Sequence, residues 1–118
     1  HPDIRFERTI TATPGLDRRG EDAVYRIVQE SLSNAVRHGR PTRIEIVIAD
    51  QTDRVMVSVT DDGGGLKQDL PGGMSLGQMG LMGMQERLSM LGGHMTVEGG
   101  RGVSIRAFLP KVRELEIA

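Results

Sequence analysis

The sequence predicts a two-layer α+β domain in which helices cover one face of a mostly antiparallel sheet. Five short runs alternate apolar and polar residues, as half-buried strands do, and two longer runs carry apolar residues at helical spacing. The predicted order is strand, helix, strand, strand, glycine-rich lid, helix, strand, strand. We expect residues 1–118 to form a single domain, and the motifs described below lie within about residues 20–110.

The first half of the chain is predicted to form three strands and a helix. A strand over residues 3–10 alternates apolar with charged residues. A helix follows from about residue 17 or 20 to residue 37, before the stop signals Gly39 and Pro41. The strands over residues 42–50 and 54–60 are joined by a short polar connection, so we expect them to be antiparallel neighbours.

The second half begins with a glycine-rich segment, residues 61–80. Long segments of this kind in compact domains are usually functional lids or disordered. We expect a helix that opens at Gly80 and ends at a left-handed cap supplied by Gly92-Gly93, and then a closing hairpin over residues 94–110. The apolar stripe of this helix consists of Leu81, Met84, Leu88 and Leu91.

Composition excludes several classes of protein. The net charge of −1 gives no indication of a nucleic-acid or membrane-surface partner. The absence of cysteine excludes a disulfide scaffold and Cys-based zinc sites, and the three histidines form no metal-ligand pair. No apolar run approaches the ~20 residues of a membrane span, and no signal-peptide pattern opens the chain. We therefore expect an intracellular module.

Three polar residues interrupt the apolar face of the first predicted helix. Glu30, Asn34 and His38 follow one another at i, i+4 and i+8, at the edge of the apolar arc. Burying such groups unpaired destabilises by about 1–3 kcal/mol each, so they require partners. They form either a boundary stripe bonded to backbone and water, or a cleft wall whose oxygens suit Mg²⁺. The predicted apolar arc comprises Val24, Ile27, Val28, Leu32, Ala35 and Val36.

The glycine clusters "DDGGG", "GQMGLMG" and "GGRG" match neither a Walker loop nor the dinucleotide fingerprint. Each alone is compatible with a simple turn, but glycine also lets backbone N–H groups approach a ligand, and a helix N-terminus binds anions. Asp61 at a strand end can accept a hydrogen bond from an exocyclic amine, while Gly63 and Gly65 leave room for a flat base. We therefore expect "DDGGG" to hold an adenine, with Asp62 facing solvent or the turn.

Together these segments resemble the motifs of the ATP-binding (catalytic) domain of bacterial sensor histidine kinases, within the superfamily of Hsp90, gyrase B and MutL. "QESLSNAVRHG", residues 29–39, resembles the N box. "VTDDGGG", residues 59–65, and "GLMGMQERLSMLGG", residues 80–93, resemble the two glycine boxes. The form of the second box is similar to the nitrate-sensor and lipid-thermosensor subfamily, whose partners are response regulators with helix-turn-helix output domains. The resemblance implies a Bergerat-type fold with an ATP lid.

For the N box, the resemblance implies a metal and phosphate site. Asn34 would coordinate Mg²⁺, and Glu30 would support the metal shell or polarise the attacking imidazole. Arg37 takes the place of a basic phosphate contact, and His38 lies against ribose or phosphate. The expected cofactors are ATP and Mg²⁺.

For the glycine boxes, the resemblance implies that Asp61 binds the adenine amino group directly and through water, an approach that Gly63 and Gly65 permit. The backbone amides expected to face the phosphates are those of Gly80, Leu81 and Gly83. Two departures from the family pattern are Met79, in place of a histidine, and Val103, in place of a threonine that supports the adenine-binding aspartate. Both are expected to weaken nucleotide binding. The methionines of this region are expected either to pack on nucleotide or partner or to fill the core; they are Met74, Met79, Met82 and Met84.

In this family the γ-phosphoryl group of ATP passes to a histidine on a separate helical dimerisation domain, mainly by positioning and charge neutralisation. None of His1, His38 and His94 lies in a long helix with acidic neighbours suited to a phosphoacceptor. We therefore interpret the chain as the cytoplasmic ATP-binding part of a kinase. Its expected partners are ATP or ADP, the histidine-bearing domain and, indirectly, a response regulator. Alone, it is expected to bind nucleotide and to transfer phosphate slowly or not at all.

Two other functions remain open from the sequence. A serine kinase of the anti-sigma-factor type has a similar fold, although "GLMGMQERL" argues against it. A non-catalytic interaction module that has lost ATP is left open by Met79 and Val103, whereas the intact Glu30, Asn34 and Asp61 argue against it.

Overall fold

The structure, a computed structural model, describes residues 4–11, 15–39, 41–63, 76–99 and 102–111. This part of the chain contains two α-helices, α1 (Arg18–Asn34) and α2 (Leu76–Met90), and α1 continues as a π-helical turn over Ala35–Gly39. The strands are β1 (Arg5–Ile10), β2 (Arg43–Asp50), β3 (Arg54–Asp61), β4 (His94–Glu98) and β5 (Ser104–Pro110). No helix in the described ranges is long and apolar enough to span a bilayer.

The strands form one sheet in the order β1-β2-β3-β5-β4. Strand β1 pairs with β2 in parallel, and the other three pairings are antiparallel, as predicted for the β2–β3 pair and for the closing hairpin. The β2–β3 register runs from Asp50 opposite Val55 to Ile44 opposite Asp61. This register places Asp61 at the last pair of the hairpin.

Both helices cover the same face of the sheet, which confirms the predicted two-layer α+β class. Val55 and Val57 are alternate residues of β3, so their side chains point to the same face of the sheet, and both are fully buried. They belong to a cluster that α1 joins through Ala23 and Ile27, and α2 through Leu81 and Leu88. The predicted α2 stripe is confirmed, because Met84 and Leu91 also pack against this cluster. A second cluster contains Ala35, Ile44, Ile46 and Val59.

Helix α1 begins where the sequence indicates, because the Asp17 side chain caps it by accepting a hydrogen bond from the Gly20 N–H at 2.9 Å. Its most buried face differs from the predicted arc. Val36, placed inside that arc, is exposed, whereas Asn34, placed at its edge, is only 5% exposed. The reason is that α1 packs against α2 as well as against the sheet, so the side with Ala23 and Asn34 is covered too.

Helix α2 begins at Leu76, four residues before the predicted start at Gly80, so that prediction is wrong. A glycine inside a helix destabilises it by only about 1 kcal/mol relative to alanine, which the burial of Leu81 and Leu88 outweighs. The predicted C-terminal cap is confirmed. Gly92 has φ of 80°, and Gly93 donates its N–H to the Leu88 carbonyl at 2.8 Å.

Replacing Leu88 by alanine is expected to lower the free energy of unfolding by about 2–5 kcal/mol, because the side chain is fully buried and its loss leaves a cavity. Met90 lies two residues further along the same helix and is 87% exposed. Its replacement by alanine is expected to change the free energy by less than about 0.5 kcal/mol. Urea denaturation of both variants checks this, and equal losses would contradict the described core.

Candidate functional site

The carboxylate of Asp61 lies at the end of β3 on the side of the sheet that faces the helices. Residues two apart in a strand share a face, so the Asp61 side chain lies on the same face of the sheet as those of Val57 and Val59. Its Oδ1 accepts a hydrogen bond from the Gly63 N–H at 2.8 Å, and its backbone N–H donates to the Val103 carbonyl at 3.0 Å. Within the described residues, Oδ2 of Asp61 accepts no hydrogen bond.

The C-terminal end of α1 lies against this strand end. Ala35, which follows Asn34, packs in one cluster with Ile44 and Val59. Ile44 is the cross-strand neighbour of Asp61. The buried amide of Asn34 and the carboxylate of Asp61 are therefore brought to the same end of the domain, as the sequence predicted for the N box and the first glycine box.

The second glycine box reaches the same end through a close contact between Glu30 and Gly80. A Cβ at Gly80 would overlap the Glu30 carboxylate, so a larger residue there would require the Glu30 side chain to move. The sequence motif gave no indication of this contact. Glu30, one helical turn before Asn34, therefore packs directly against α2.

The early start of α2 changes which backbone amides can face an anion. In an α-helix each N–H bonds to the carbonyl four residues earlier, and only the first four N–H groups lack such a partner. In α2 these belong to residues 76–79. The amides of Gly80, Leu81 and Gly83 lie inside the helix, the Leu81 side chain is buried, and Gly83 is exposed. Phosphate contacts by these three residues remain a prediction.

The N box ends in a π-helical turn, Ala35–Gly39, where the sequence predicted a continuous α-helix as far as residue 37. Such turns are rare and frequently lie at functional sites. The part of the predicted stripe that runs from Asn34 to His38 lies on this turn and remains a prediction. Arg37 is exposed on this turn. The side chain of His38 and the whole of Gly65 lie outside the described residues.

Asp62 has a role that sequence reasoning missed. Its Oδ1 accepts hydrogen bonds from the backbone N–H groups of Thr42 at 2.8 Å and Arg43 at 2.9 Å, and its Oδ2 accepts one from the Thr42 hydroxyl at 2.6 Å. These bonds lower the pKa of the Asp62 carboxyl, and the bond from the Thr42 hydroxyl has the largest effect. At pH values above the ordinary pKa of aspartate they stabilise the folded chain, and this contribution is lost as the pH falls through the lowered pKa.

Gly102, in the β4–β5 connection, is a second residue that was missed. A Cβ there would overlap the Asp61 carbonyl oxygen and would lie 3.1 Å from Asp61 Oδ1. The next residue, Val103, stands where the family pattern has threonine. Its side chain is 8% exposed within the core, and its carbonyl accepts the Asp61 N–H. The closing hairpin therefore holds the backbone of Asp61 directly.

The fold and the three motifs can be compared with those of known proteins. Residues 19–113 match the family model described as histidine kinase-, DNA gyrase B- and HSP90-like ATPase. The chain belongs to this family, which confirms the resemblance and the ATPase class. The subfamily remains a prediction.

The curated relatives that the chain matches are histidine kinases. The chain is 33% identical over 111 residues to the signal transduction histidine-protein kinase/phosphatase UhpB of Salmonella typhimurium, covering 94% of this chain and 20% of the relative. It is 34% identical over 110 residues to the sensor histidine kinase LiaS of Bacillus subtilis, covering 92% of this chain and 29% of the relative. The chain thus spans less than a third of these relatives.

Solved structures show the same fold. The histidine kinase domain of the Erythrobacter litoralis EL346 blue-light activated histidine kinase superposes with a TM-score of 0.75 at 19% identity, over 94% of this chain and 53% of that one. The mycobacterial sensor histidine kinase MprB superposes with a TM-score of 0.70 at 21% identity, over 94% of this chain and 84% of that one. The predicted fold class is confirmed by both.

Replacing Gly102 by alanine is expected to lower the free energy of unfolding by about 1–3 kcal/mol, since the new methyl group must displace the backbone of Asp61. Gly99 lies in the same connection, and a Cβ there meets nothing within 4 Å. Gly99→Ala therefore serves as the matched control, with an expected change of less than about 0.5 kcal/mol in urea denaturation. A Gly102→Ala variant as stable as the control would show that the connection does not hold Asp61.

Proposed function

We propose that this domain binds ATP with Mg²⁺ and supplies the γ-phosphoryl group to a histidine on a separate helical domain of the same kinase, for relay to a response regulator. Membership of the ATPase family supports the choice of nucleotide. The observation that carries the proposal is the convergence of Glu30, Asn34 and Asp61 at one end of the domain.

Asp61 is the residue that we propose recognises adenine. Its Oδ1 is held by the Gly63 N–H, which fixes the carboxylate and directs Oδ2 to a ligand. A carboxylate only accepts hydrogen bonds, so it favours a base that presents an exocyclic amino group. The hydrogen bond from the Asp61 N–H to the Val103 carbonyl holds the backbone of Asp61 to β5.

Asn34 and Glu30 fit Mg²⁺ because an amide oxygen and a carboxylate, one helical turn apart, are hard oxygen donors. No group of three or more His, Cys, Asp or Glu side chains among the described residues can hold a metal ion by itself. Mg²⁺ usually binds through one or two protein groups and completes its shell with phosphates and water, which suits this donor set. When bound, the metal neutralises charge on the phosphates.

The remaining residues of this chain position phosphates and leave the acceptor to another domain. The exposed Arg37 can supply a positive charge, and the N-terminus of α2, whose first-turn N–H groups have no partner within the helix, can bind an anion. His94 lies on strand β4, where its ring stacks on Phe108 at 4.9 Å between centroids. Its place in the sheet supports a phosphoacceptor outside this domain. The relatives' names place such domains in signal transduction, and a cytoplasmic location, where ATP is supplied, is part of the proposal.

Titration of the chain with ATP by calorimetry, with and without Mg²⁺, is expected to show binding that Asp61→Asn weakens about 10- to 100-fold, because the amide presents a donor to the adenine amino group. Asn34→Ala is expected to remove the dependence on Mg²⁺ while retaining most of the affinity for free nucleotide.

Asp53→Asn is the matched control for charge, because Asp53 lies in the connection at the opposite end of the β2–β3 hairpin. It is expected to bind ATP like the wild type. Wild-type protein that fails to bind millimolar ATP would overturn the function. An Asp61→Asn variant that binds like the control would overturn the site.

A further inference from the structure

We propose that Asp62 is a positioning residue: its carboxylate ties the start of β2 to the end of β3 and thereby fixes where the neighbouring Asp61 presents its Oδ2 atom. This inference rests on the proposed function of Asp61. We call the hydrogen-bonded group of Asp62, Thr42 and Arg43 the strand-end clasp.

The strand-end clasp lies just beyond the last residue pair of the hairpin, Ile44 opposite Asp61. Strand ends are where a ladder of backbone hydrogen bonds frays. Here the Asp62 carboxylate accepts both backbone N–H groups of Thr42 and Arg43 through Oδ1 and the Thr42 hydroxyl through Oδ2. The Asp62 N–H also donates to the Arg43 carbonyl at 3.3 Å. The pairing of β2 with β3 therefore continues past the sheet by side-chain bonds.

The clasp reaches the site through the backbone. Successive side chains of an extended strand point to opposite faces, so Asp61 faces the helices when Asp62 is held on the other side. The Asp61 backbone is already tied to β5 through the Val103 carbonyl. With the clasp in place, the strand end that carries Asp61 is fixed on both of its edges. Without the Asp62 carboxylate, the strand end keeps its backbone pairing with β2 but loses the three bonds that this carboxylate accepts from Thr42 and Arg43.

The clasp also continues to the edge strand. The guanidinium of Arg43 donates to the carboxylate of Glu7 on β1 and lies 3.7 Å from Glu45 on β2. The position of Arg43 is therefore set from both sides, by Asp62 through its backbone and by Glu7 through its side chain. This makes Arg43 a fixed partner for Asp62.

The hydrogen bonds of Asp62 depend on the position of its oxygens and do not require its negative charge. Oδ1 alone accepts both backbone N–H groups, and an asparagine oxygen can accept the same two. The Thr42 hydroxyl can reverse its role and accept from the asparagine amide. Asp62→Asn is therefore expected to preserve the clasp, whereas Asp62→Ala removes it.

The test compares ATP with inosine triphosphate, which has a carbonyl group where adenine has its amino group. Calorimetry with Mg²⁺ is expected to show that wild type prefers ATP. Asp62→Ala is expected to weaken ATP binding at least about tenfold and inosine triphosphate binding much less. The ratio of the affinity for ATP to the affinity for inosine triphosphate therefore falls towards one. Asp62→Asn is expected to keep the preference within about threefold of wild type. A loss of folding stability alone would weaken the binding of both nucleotides equally.

Asp17→Ala is the matched control for stability. Asp17, like Asp62, uses its Oδ1 to hold a backbone N–H group, but at the start of α1, about 25 Å along the helix from Asn34. This variant is expected to melt at a lower temperature and to keep the preference for ATP. If Asp62→Ala does not fold, Thr42→Val, which removes only the hydroxyl bond to Oδ2, replaces it and is expected to lower the preference.

The outcomes separate this proposal from the proposed function. Failure of wild type to bind ATP overturns the function, and the clasp is then judged by amide hydrogen exchange of the ligand-free chain. Exchange at Thr42 and Arg43 is expected to be faster in Asp62→Ala than in Asp62→Asn. Equal exchange in the two variants, an unchanged ATP preference in Asp62→Ala, or an Asp62→Asn variant that behaves like Asp62→Ala overturns the positioning role.

Discussion

The register of β3 is the constraint on which the rest of the domain depends. This strand lies in the middle of the sheet, and its alternate residues Val55, Val57 and Val59 are buried beneath the two helices. The same alternation directs Asp61 to the helix side at the point where the apolar run ends. A slip of one residue would turn the valines and Asp61 to the other face together. Burial of the core therefore fixes the orientation of the proposed adenine-binding carboxylate.

The contact between α1 and α2 explains how polar residues lie at the edge of the core. Ala23 on α1 packs in one cluster with Leu81 and Leu88 of α2, and Gly80 leaves room for the Glu30 carboxylate between the two helices. Asn34 lies on the same side of α1 as Ala23 and is buried. Helix packing and the geometry of the proposed metal site thus have the same origin, so a change that separates the helices disturbs both.

Much of the fold follows from periodicity in the sequence. Alternating residues predicted all five strands, and helical spacing predicted the buried stripe of α2, because both patterns record burial by one neighbouring layer. The burial of Asn34 was not predictable in the same way, since α1 faces two neighbours and a helical wheel shows only the apolar one. The start of α2 at Leu76 was missed because glycines within a helix resemble a boundary signal.

The site was predictable at the level of motifs and less so at the level of contacts. Asp61, Asn34 and Glu30 were recognised because each is a polar residue in an apolar pattern or beside glycines. The bonds of Asp62 to Thr42 and Arg43 join residues 19 and 20 positions apart, so they depend on a strand register that local spacing does not record. The lack of space for a side chain at Gly102, beside Asp61, depends likewise on the β3–β5 pairing.

The parallel pairing of β1 with β2 has a consequence for synthesis on the ribosome. Strand β1 and helix α1 emerge first, but the partner of β1 begins at Arg43, after the whole of α1. Hairpins such as β2–β3 and β4–β5 close over short connections, whereas β1 must wait for a strand on the far side of a helix. We therefore expect the nascent N-terminal segment to leave the ribosome with its apolar helix face uncovered until β2 and β3 arrive. In this domain, β1 therefore remains without a sheet partner for longer than either strand of the β2–β3 hairpin.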